Sequence, residues 1–171
     1  LYVSDSGDWQ AENGCIWMIR PDGATELLTD EVRAHSNGIA IHPIDGSLYC
    51  VESLRPAIMR VPLGPDGRAS GPAEVALPLT PEIIADGIAF AVDGALLIAC
   101  YTPDVIYRLS VDGKLTVLAH DPHRVTLAAP TNVAFVGSDL TTLVVSSLGR
   151  WHLTRMDLDE PGAPLNYPKV S

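Results

Sequence analysis

Short runs of apolar and β-branched residues alternate with polar turns along the whole chain, and the pattern repeats. The segment NGIAIHPIDGSLYCVES, from Asn37 to Ser53, holds two such runs joined by a turn. Similar units begin at Asp86, with DGIAFAVDGALLIACY, and near Asn132, with TNVAFVGSDLTTLVVSSL. A repeat of about 40–50 residues that contains several strands is typical of β-propeller blades.

Each repeat predicts up to four antiparallel strands. The second strands are strongly apolar and align as Leu1–Ser6, Leu48–Ser53, Leu96–Tyr101 and Leu143–Leu148. The third strands, three of which end near an Asp-Gly turn, align as Cys15–Gly23, Ala57–Gly67, Val105–Gly113 and His152–Leu158. The fourth strands are weaker and align as Thr25–Asp30, Ala73–Leu79 and Leu115–His120. Asp-Gly supplies the positive φ that a tight hairpin needs.

The fold class predicted from this pattern is all-β, a β-propeller. No helical periodicity extends over a dozen residues, and the gaps between strands are too short for the crossover helices of a parallel sheet. A β-sandwich is the alternative, but the four-strand phase favours a propeller. Ile39, Ile88 and Val133 are expected on the strands nearest the axis.

The chain accounts for roughly three and a half to four blades, fewer than a typical closed ring. Residues 1–171 are therefore interpreted as one partial propeller domain, the C-terminal blades of a larger ring, with no second domain. Open blade edges would allow a homo-oligomer in which another copy completes the ring.

Composition narrows the classes of partner. The formal net charge of −10 argues against nucleic acid, because a phosphate backbone needs a basic surface. Apolar residues make up 47% of the chain, enough for a packed core, but no uninterrupted apolar stretch could span a membrane. Without a signal peptide, a cytoplasmic location is expected.

Cys50 and Cys100 occupy matching strand positions, which suggests that their thiols are buried. The sequence contains no CxxC pair of the kind that indicates a zinc site.

Polar side chains stand where the first strand of each later repeat begins. In a propeller this strand lines the central channel, so Asn37, Asp86 and Asn132 are expected to meet at one mouth. Carboxylate and amide oxygens without a basic partner are suitable ligands for a hard divalent cation. The alternative is that these residues only cap the turns that lead into the strands, and agreement at three positions favours the metal site.

These segments, extended to SNGIAIHPIDGSLYCVES, ADGIAFAVDGALLIACY and PTNVAFVGSDLTTLVVSSLGRWHLTRMDL, resemble the SMP-30/gluconolactonase/luciferin-regenerating-enzyme family over nearly the whole chain. The resemblance implies a six-bladed propeller with a divalent metal in its channel and, in most members, hydrolysis of lactones. Ca²⁺ is the expected metal, with Zn²⁺ or Mg²⁺ as alternatives.

The family's functional residues carry over at two positions. Asn37 matches the Asn-Gly metal ligand, and Asp86 matches the aspartate that is both ligand and proton-transfer group, although Ala85 stands where the family has proline. The family's glutamate ligand and its substrate-binding Arg and Asn belong to the region before Leu1 and are not in this chain. Asn132 is assigned to substrate binding.

The function predicted on this basis is metal-dependent hydrolysis of a lactone or similar small ester at the central channel, with Asp86 as the catalytic base. The alternatives are a non-catalytic propeller that binds or scaffolds a partner, and a catalytically incomplete fragment, because fold alone does not fix function. Motifs of serine hydrolases and nucleotide-binding proteins are absent from the sequence. Trp9, Trp17 and Trp151 are expected to pack between blades, with Trp9 the one that could be exposed.

Overall fold

A computed structural model describes residues 1–165, which form β-strands joined by turns and loops. The strands are β1 (Tyr2–Asp5), β2 (Cys15–Ile19), β3 (Thr25–Thr29), β4 (Ser36–Ile41), β5 (Leu48–Glu52), β6 (Ala57–Val61), β7 (Glu74–Pro78), β8 (Ile84–Phe90), β9 (Leu96–Thr102), β10 (Val105–Leu109), β11 (Leu115–His120), β12 (Pro130–Val136), β13 (Thr142–Ser147) and β14 (Leu153–Asp157). The described residues contain no helix, and so none that could cross a membrane.

Four antiparallel sheets follow one another along the chain. Blade 1 is β1–β3, blade 2 is β4–β7, blade 3 is β8–β11 and blade 4 is β12–β14. In every blade the strands pair in chain order, as a meander does. The first strands of blades 2, 3 and 4 lie side by side. The predicted all-β propeller architecture is confirmed, and blades 2 and 3 each hold four strands.

Strand bounds agree closely with the predicted segments because the turns between third and fourth strands are encoded locally. Gly23, Gly67 and Gly113 end the three Asp-Gly turns with φ values of +84°, +79° and +83°. A side chain at this conformation would be strained, so glycine fixes where each hairpin closes.

The core consists of three apolar clusters, one at each junction between neighbouring blades. Ile16 and Cys50 belong to the cluster between blades 1 and 2, and Val51 and Ile98 to the cluster between blades 2 and 3. Cys50 and Val51 are adjacent in β5, so the alternation of a strand sends one side chain to each junction. Full burial of one such aliphatic side chain stabilises the fold by roughly 1.5–3 kcal/mol.

The prediction that tryptophans pack between blades is wrong for Trp151, agrees with the allowed exposure of Trp9, and stays a prediction for Trp17. Trp151 is fully exposed in the loop between β13 and β14, and Trp9 is also exposed. Trp17 alternates with the buried Ile16 and Met18, which places its ring on the face of blade 1 opposite blade 2, where its Nε1 donates to Asp5 at 3.4 Å. The junctions are filled mainly by aliphatic side chains, together with Phe90, Phe135 and partly buried tyrosines.

The cysteine thiols at the blade junctions are expected to be unreactive in the folded chain. Cys50 and Cys100 are free and fully buried, and burial raises the pKa of each thiol to about 12. Because the thiolate is the nucleophile, an aromatic disulfide reagent at about pH 8 should modify neither residue until denaturant is added. Rapid labelling of either thiol under native conditions would contradict this packing.

Candidate metal centre

The first strands of blades 2, 3 and 4 line an open central cavity of about 800 Å³. Ile39, Ile88 and Val133 are on its wall, as expected for the strands nearest the axis. Asn37 and Asn132 also line it. Asp86 is half-buried beside Asn37 rather than on the wall itself.

The glycine after each candidate ligand allows neighbouring inner strands to approach closely. A Cβ atom added at Gly38 would lie within 3.0 Å of the Asp86 carbonyl oxygen, Gly87 Cα and Ile88 N. A Cβ atom at Gly87 would similarly meet Asn132. The Asn-Gly and Asp-Gly pairs thus combine a polar ligand with the only residue small enough for the contact between blades.

The strand register shows that Asn132 is one position out of phase with the other two candidate residues. Ile39 pairs with Cys50, Ile88 with Ile98 and Val133 with Val145, and these pairs are equivalent between blades.

Counting back one residue from Ile39, Ile88 and Val133 aligns Asn132 with Gly38 and Gly87. Counting back two aligns Thr131 with Asn37 and Asp86. The predicted agreement in phase therefore holds for Asn37 and Asp86 but not for Asn132.

The Asn132 side chain lies close to Gly87 of the neighbouring blade. Its Oδ1 also accepts a hydrogen bond from its own neighbour Val133 N at 2.9 Å. Asn132 therefore stands on the cavity wall but at a different level of the repeat from Asn37 and Asp86.

Asp86 occupies a poorly solvated environment. Burial raises the pKa of its carboxyl group above the ordinary value, while the Asn37 amide and the nearby His35 act in the opposite direction. The net direction is upward because the carboxylate loses more hydration than these neighbours replace. A group of this kind is suited to accept a proton or to bind a cation.

Asn37 is held by a hydrogen-bonded bridge between blades 2 and 3. Its Nδ2 donates to Ser53 Oγ at 3.2 Å, and Ser53 Oγ donates to the Ala85 carbonyl oxygen at 2.8 Å. Ala85 directly precedes Asp86, so one hydroxyl links the side chain of one candidate ligand to the backbone beside the other.

The loop that leads into Asn37 is fixed by a buried carboxylate. Glu52 is 1% exposed, and its Oε1 accepts hydrogen bonds from Arg33 N at 2.7 Å and Ala34 N at 2.9 Å. His35 follows with φ of +62°, and its Nδ1 is buried without a hydrogen-bond partner in residues 1–165. Its ring contacts the exposed Trp9 edge-on, with 5.2 Å between the ring centroids.

No functional role is predicted from the sequence for Ser53, His35 or Glu52. The signal was present at the end of β5, where the polar pair Glu52-Ser53 interrupts an otherwise apolar strand at the same mouth as Asn37.

The opposite side of the cavity is bounded by the segment after β14. Arg108 binds the Glu160 carboxylate through Nε at 2.6 Å and through a terminal nitrogen at 2.7 Å. Gly162 N then donates to Leu140 O at 2.9 Å, and Ala163 N to Phe90 O at 2.9 Å. Ala163 lines the cavity at the ends of the inner strands that are distant from Asn37.

The donor set fits a hard cation by chemical type. Asn37 and Asp86 offer an amide oxygen and a carboxylate, which are ligands that Ca²⁺ accepts. Within the described part of the chain, no group of three or more His, Cys, Asp or Glu side chains is placed to hold a metal. Two protein donors would leave most coordination positions to water or substrate.

Comparison with solved structures supports the propeller fold. A calcium-binding regucalcin from Agrobacterium tumefaciens has a TM-score of 0.69 at 24% identity over 91% of this chain and 55% of its own. A luciferin-regenerating enzyme has a TM-score of 0.74 at 15% identity over 97% of this chain and 61% of its own. The Xanthomonas campestris gluconolactonase XC5397 has a TM-score of 0.68 at 18% identity over 85% of this chain and 50% of its own.

This chain therefore spans between 50% and 61% of the length of these three structures. At such identities the likeness shows the fold alone. No curated protein matches the sequence significantly. The family model described as the SMP-30/Gluconolactonase/LRE-like region matches residues 2–149, most of the chain. The chain belongs to the SMP-30/gluconolactonase/LRE-like family.

Proposed function

We propose that this chain contributes the channel of a metal-dependent hydrolase that acts on a lactone or a similar small ester. The observation that supports this most directly is Asp86, a half-buried carboxyl group whose pKa is raised by burial and which lies near Asn37, a residue on the wall of an open cavity. No lysine or arginine in residues 1–165 forms an ion pair with Asp86. A half-buried carboxylate without a basic partner favours a bound cation, which would supply the opposite charge.

Asn37 and Asp86 would hold a divalent cation, with Ca²⁺ the first choice and Zn²⁺ or Mg²⁺ as alternatives. When bound, such a cation polarises a carbonyl group and makes a coordinated water more acidic. The Asn37 oxygen would contribute a neutral ligand, which leaves the charge of the cation only partly compensated. The names of two structural neighbours, a calcium-binding protein and a gluconolactonase, agree with this proposal.

Asp86 is proposed as the general base. A carboxylate of ordinary pKa is a weak base, and a pKa closer to the working pH makes proton acceptance more effective. Burial raises the pKa of Asp86 in the metal-free chain, and a bound cation would favour the ionised carboxylate that accepts a proton. The carboxylate would take a proton from the attacking water and return it to the oxygen that leaves when the lactone ring opens.

Hydrolysis of a panel of sugar lactones, with and without a chelator, tests the proposed function. Activity should disappear on chelation and return when Ca²⁺ is added. A chain that binds Ca²⁺ but opens no lactone would instead be a metal-binding propeller without catalysis. A chain that neither binds a divalent cation nor hydrolyses any lactone would contradict the proposal.

Replacement of Asn37 with alanine should act first on metal affinity. The variant loses one ligand oxygen but keeps Asp86, so excess Ca²⁺ should restore much of its lactonase rate. Asn132→Ala is the comparison, because a residue on the cavity wall that contacts substrate should raise KM with little change in the Ca²⁺ requirement. Equal Ca²⁺ titration curves for wild type and Asn37→Ala would remove Asn37 from the ligand set.

A further inference from the structure

We propose that Ser53 is a positioning residue that sets the orientation of the Asn37 carboxamide, so that Oδ1 and not Nδ2 is presented to the channel. The consequence for metal binding rests on the proposed function, whereas the orientation itself is a property of the fold. Ser53 follows β5, is 6% exposed and contacts both blades that supply the candidate ligands.

The direction of the hydrogen bonds follows from the chemistry of the hydroxyl group. A serine hydroxyl has one hydrogen to donate. Ser53 Oγ lies 2.8 Å from the Ala85 carbonyl oxygen, which can only accept, so that hydrogen is committed to Ala85. The lone pairs of Ser53 Oγ therefore face the Asn37 amide at 3.2 Å, and only the Nδ2 end of the amide can donate to them.

Ser53 Oγ is thus the one hydrogen-bond partner of the Asn37 side chain in residues 1–165, and it selects the amide nitrogen. Asn37 Oδ1 is left without a hydrogen-bond partner in residues 1–165, on a side chain that lines the open cavity.

Orientation matters because the two ends of an amide have nearly the same shape and opposite polarity. A hard cation binds the oxygen, whereas the hydrogens of Nδ2 would repel it. The bond that Ser53 Oγ donates to the Ala85 carbonyl oxygen fixes the direction of the hydroxyl group. Ser53 therefore sets the rotation of the Asn37 carboxamide.

A double-mutant cycle separates orientation from general structural support. Ca²⁺ affinity is measured by calorimetry for wild type, Ser53→Ala, Asn37→Asp and the double variant. Loss of the bridge should weaken Ca²⁺ binding by about 3- to 10-fold, the usual net contribution of one hydrogen bond. In Asn37→Asp both terminal atoms are oxygens, so orientation no longer matters and Ser53→Ala should change affinity by less than about 2-fold.

Proton exchange of the Asn37 side-chain amide, followed by NMR on the metal-free chain, gives a readout independent of metal and activity. Exchange should be slow in wild type and in the control Ser47→Ala, which removes a serine of similar burial at the other end of β5. It should become fast in Ser53→Ala.

The two readouts also separate this inference from the proposed function. Slow exchange that is lost in Ser53→Ala, in a chain that binds no Ca²⁺, would support the orientation and refute the metal-dependent hydrolase. If the exchange rate of the Asn37 amide is the same in wild type and Ser53→Ala, Ser53 does not orient Asn37. The same holds if Ser53→Ala lowers Ca²⁺ affinity as much in the Asn37→Asp background as in wild type.

Discussion

Replacement of Asp86 with asparagine is expected to lower the turnover of lactone hydrolysis by roughly 10²–10⁴-fold, the usual contribution of a general acid or base. The substitution keeps an oxygen that can bind a cation and removes the group that accepts the proton. Ca²⁺ affinity should therefore fall much less than turnover. Steady-state kinetics at saturating Ca²⁺ measure the loss, and wild-type rates on every active lactone would show that Asp86 only shapes a turn.

In the metal-free chain, the same substitution should reduce the loss of stability that accompanies a rise in pH. Burial raises the pKa of Asp86 in the folded state, so folding favours the protonated acid. The stability that protonation provides is present at low pH and is lost as the pH rises through the folded-state pKa. Asparagine does not ionise, so Asp86→Asn should show a smaller loss of stability as the pH rises above the ordinary carboxyl pKa.

Asp112→Asn provides the control in the same blade. Asp112 lies in the exposed turn between β10 and β11, and the Ser110 side chain holds its pKa below the ordinary value. This variant should keep the wild-type turnover. Thermal unfolding of both variants across the pH range would then distinguish a carboxyl group whose ionisation the fold opposes from one whose ionisation it supports.

The order and bounds of the strands could be predicted because their determinants are local. A strand shows its period of two within a few residues, and the Asp-Gly turns at Gly23, Gly67 and Gly113 mark hairpins without reference to distant parts of the chain. Burial of Cys50 and Cys100 followed from the same periodicity.

The arrangement within the site was less accessible, because it depends on pairing between residues far apart in sequence. The level of Asn132 follows from the pairing of Val133 with Val145, which places Asn132 beside the positions of Gly38 and Gly87. The role of Ser53 depends on Ala85, 32 residues away on the next blade. The exposure of Trp151 depends on which loop faces a neighbouring sheet, and composition does not encode that.

Introduction of a methyl group at Gly38 should destabilise the fold by about 3 kcal/mol, the upper part of the usual range for overpacking. The new Cβ of Gly38→Ala would meet the Asp86 carbonyl oxygen, Gly87 Cα and Ile88 N, all within 3.0 Å. These are backbone atoms of the next inner strand, which cannot rotate aside as the end of a flexible side chain can. Relief requires separation of β4 from β8, and that also pulls Asn37 away from Asp86.

Gly71→Ala is the matched control, because a Cβ there meets only the Pro62 side chain at 3.3 Å and the backbone has no positive φ. Chemical denaturation should show a large loss of unfolding free energy for Gly38→Ala and a change within about 0.5 kcal/mol for Gly71→Ala. Ca²⁺ affinity should fall only in Gly38→Ala, because only that change disturbs both ligands. If Gly38→Ala is as stable as wild type, the inner strands are not in the close contact that brings Asn37 and Asp86 together.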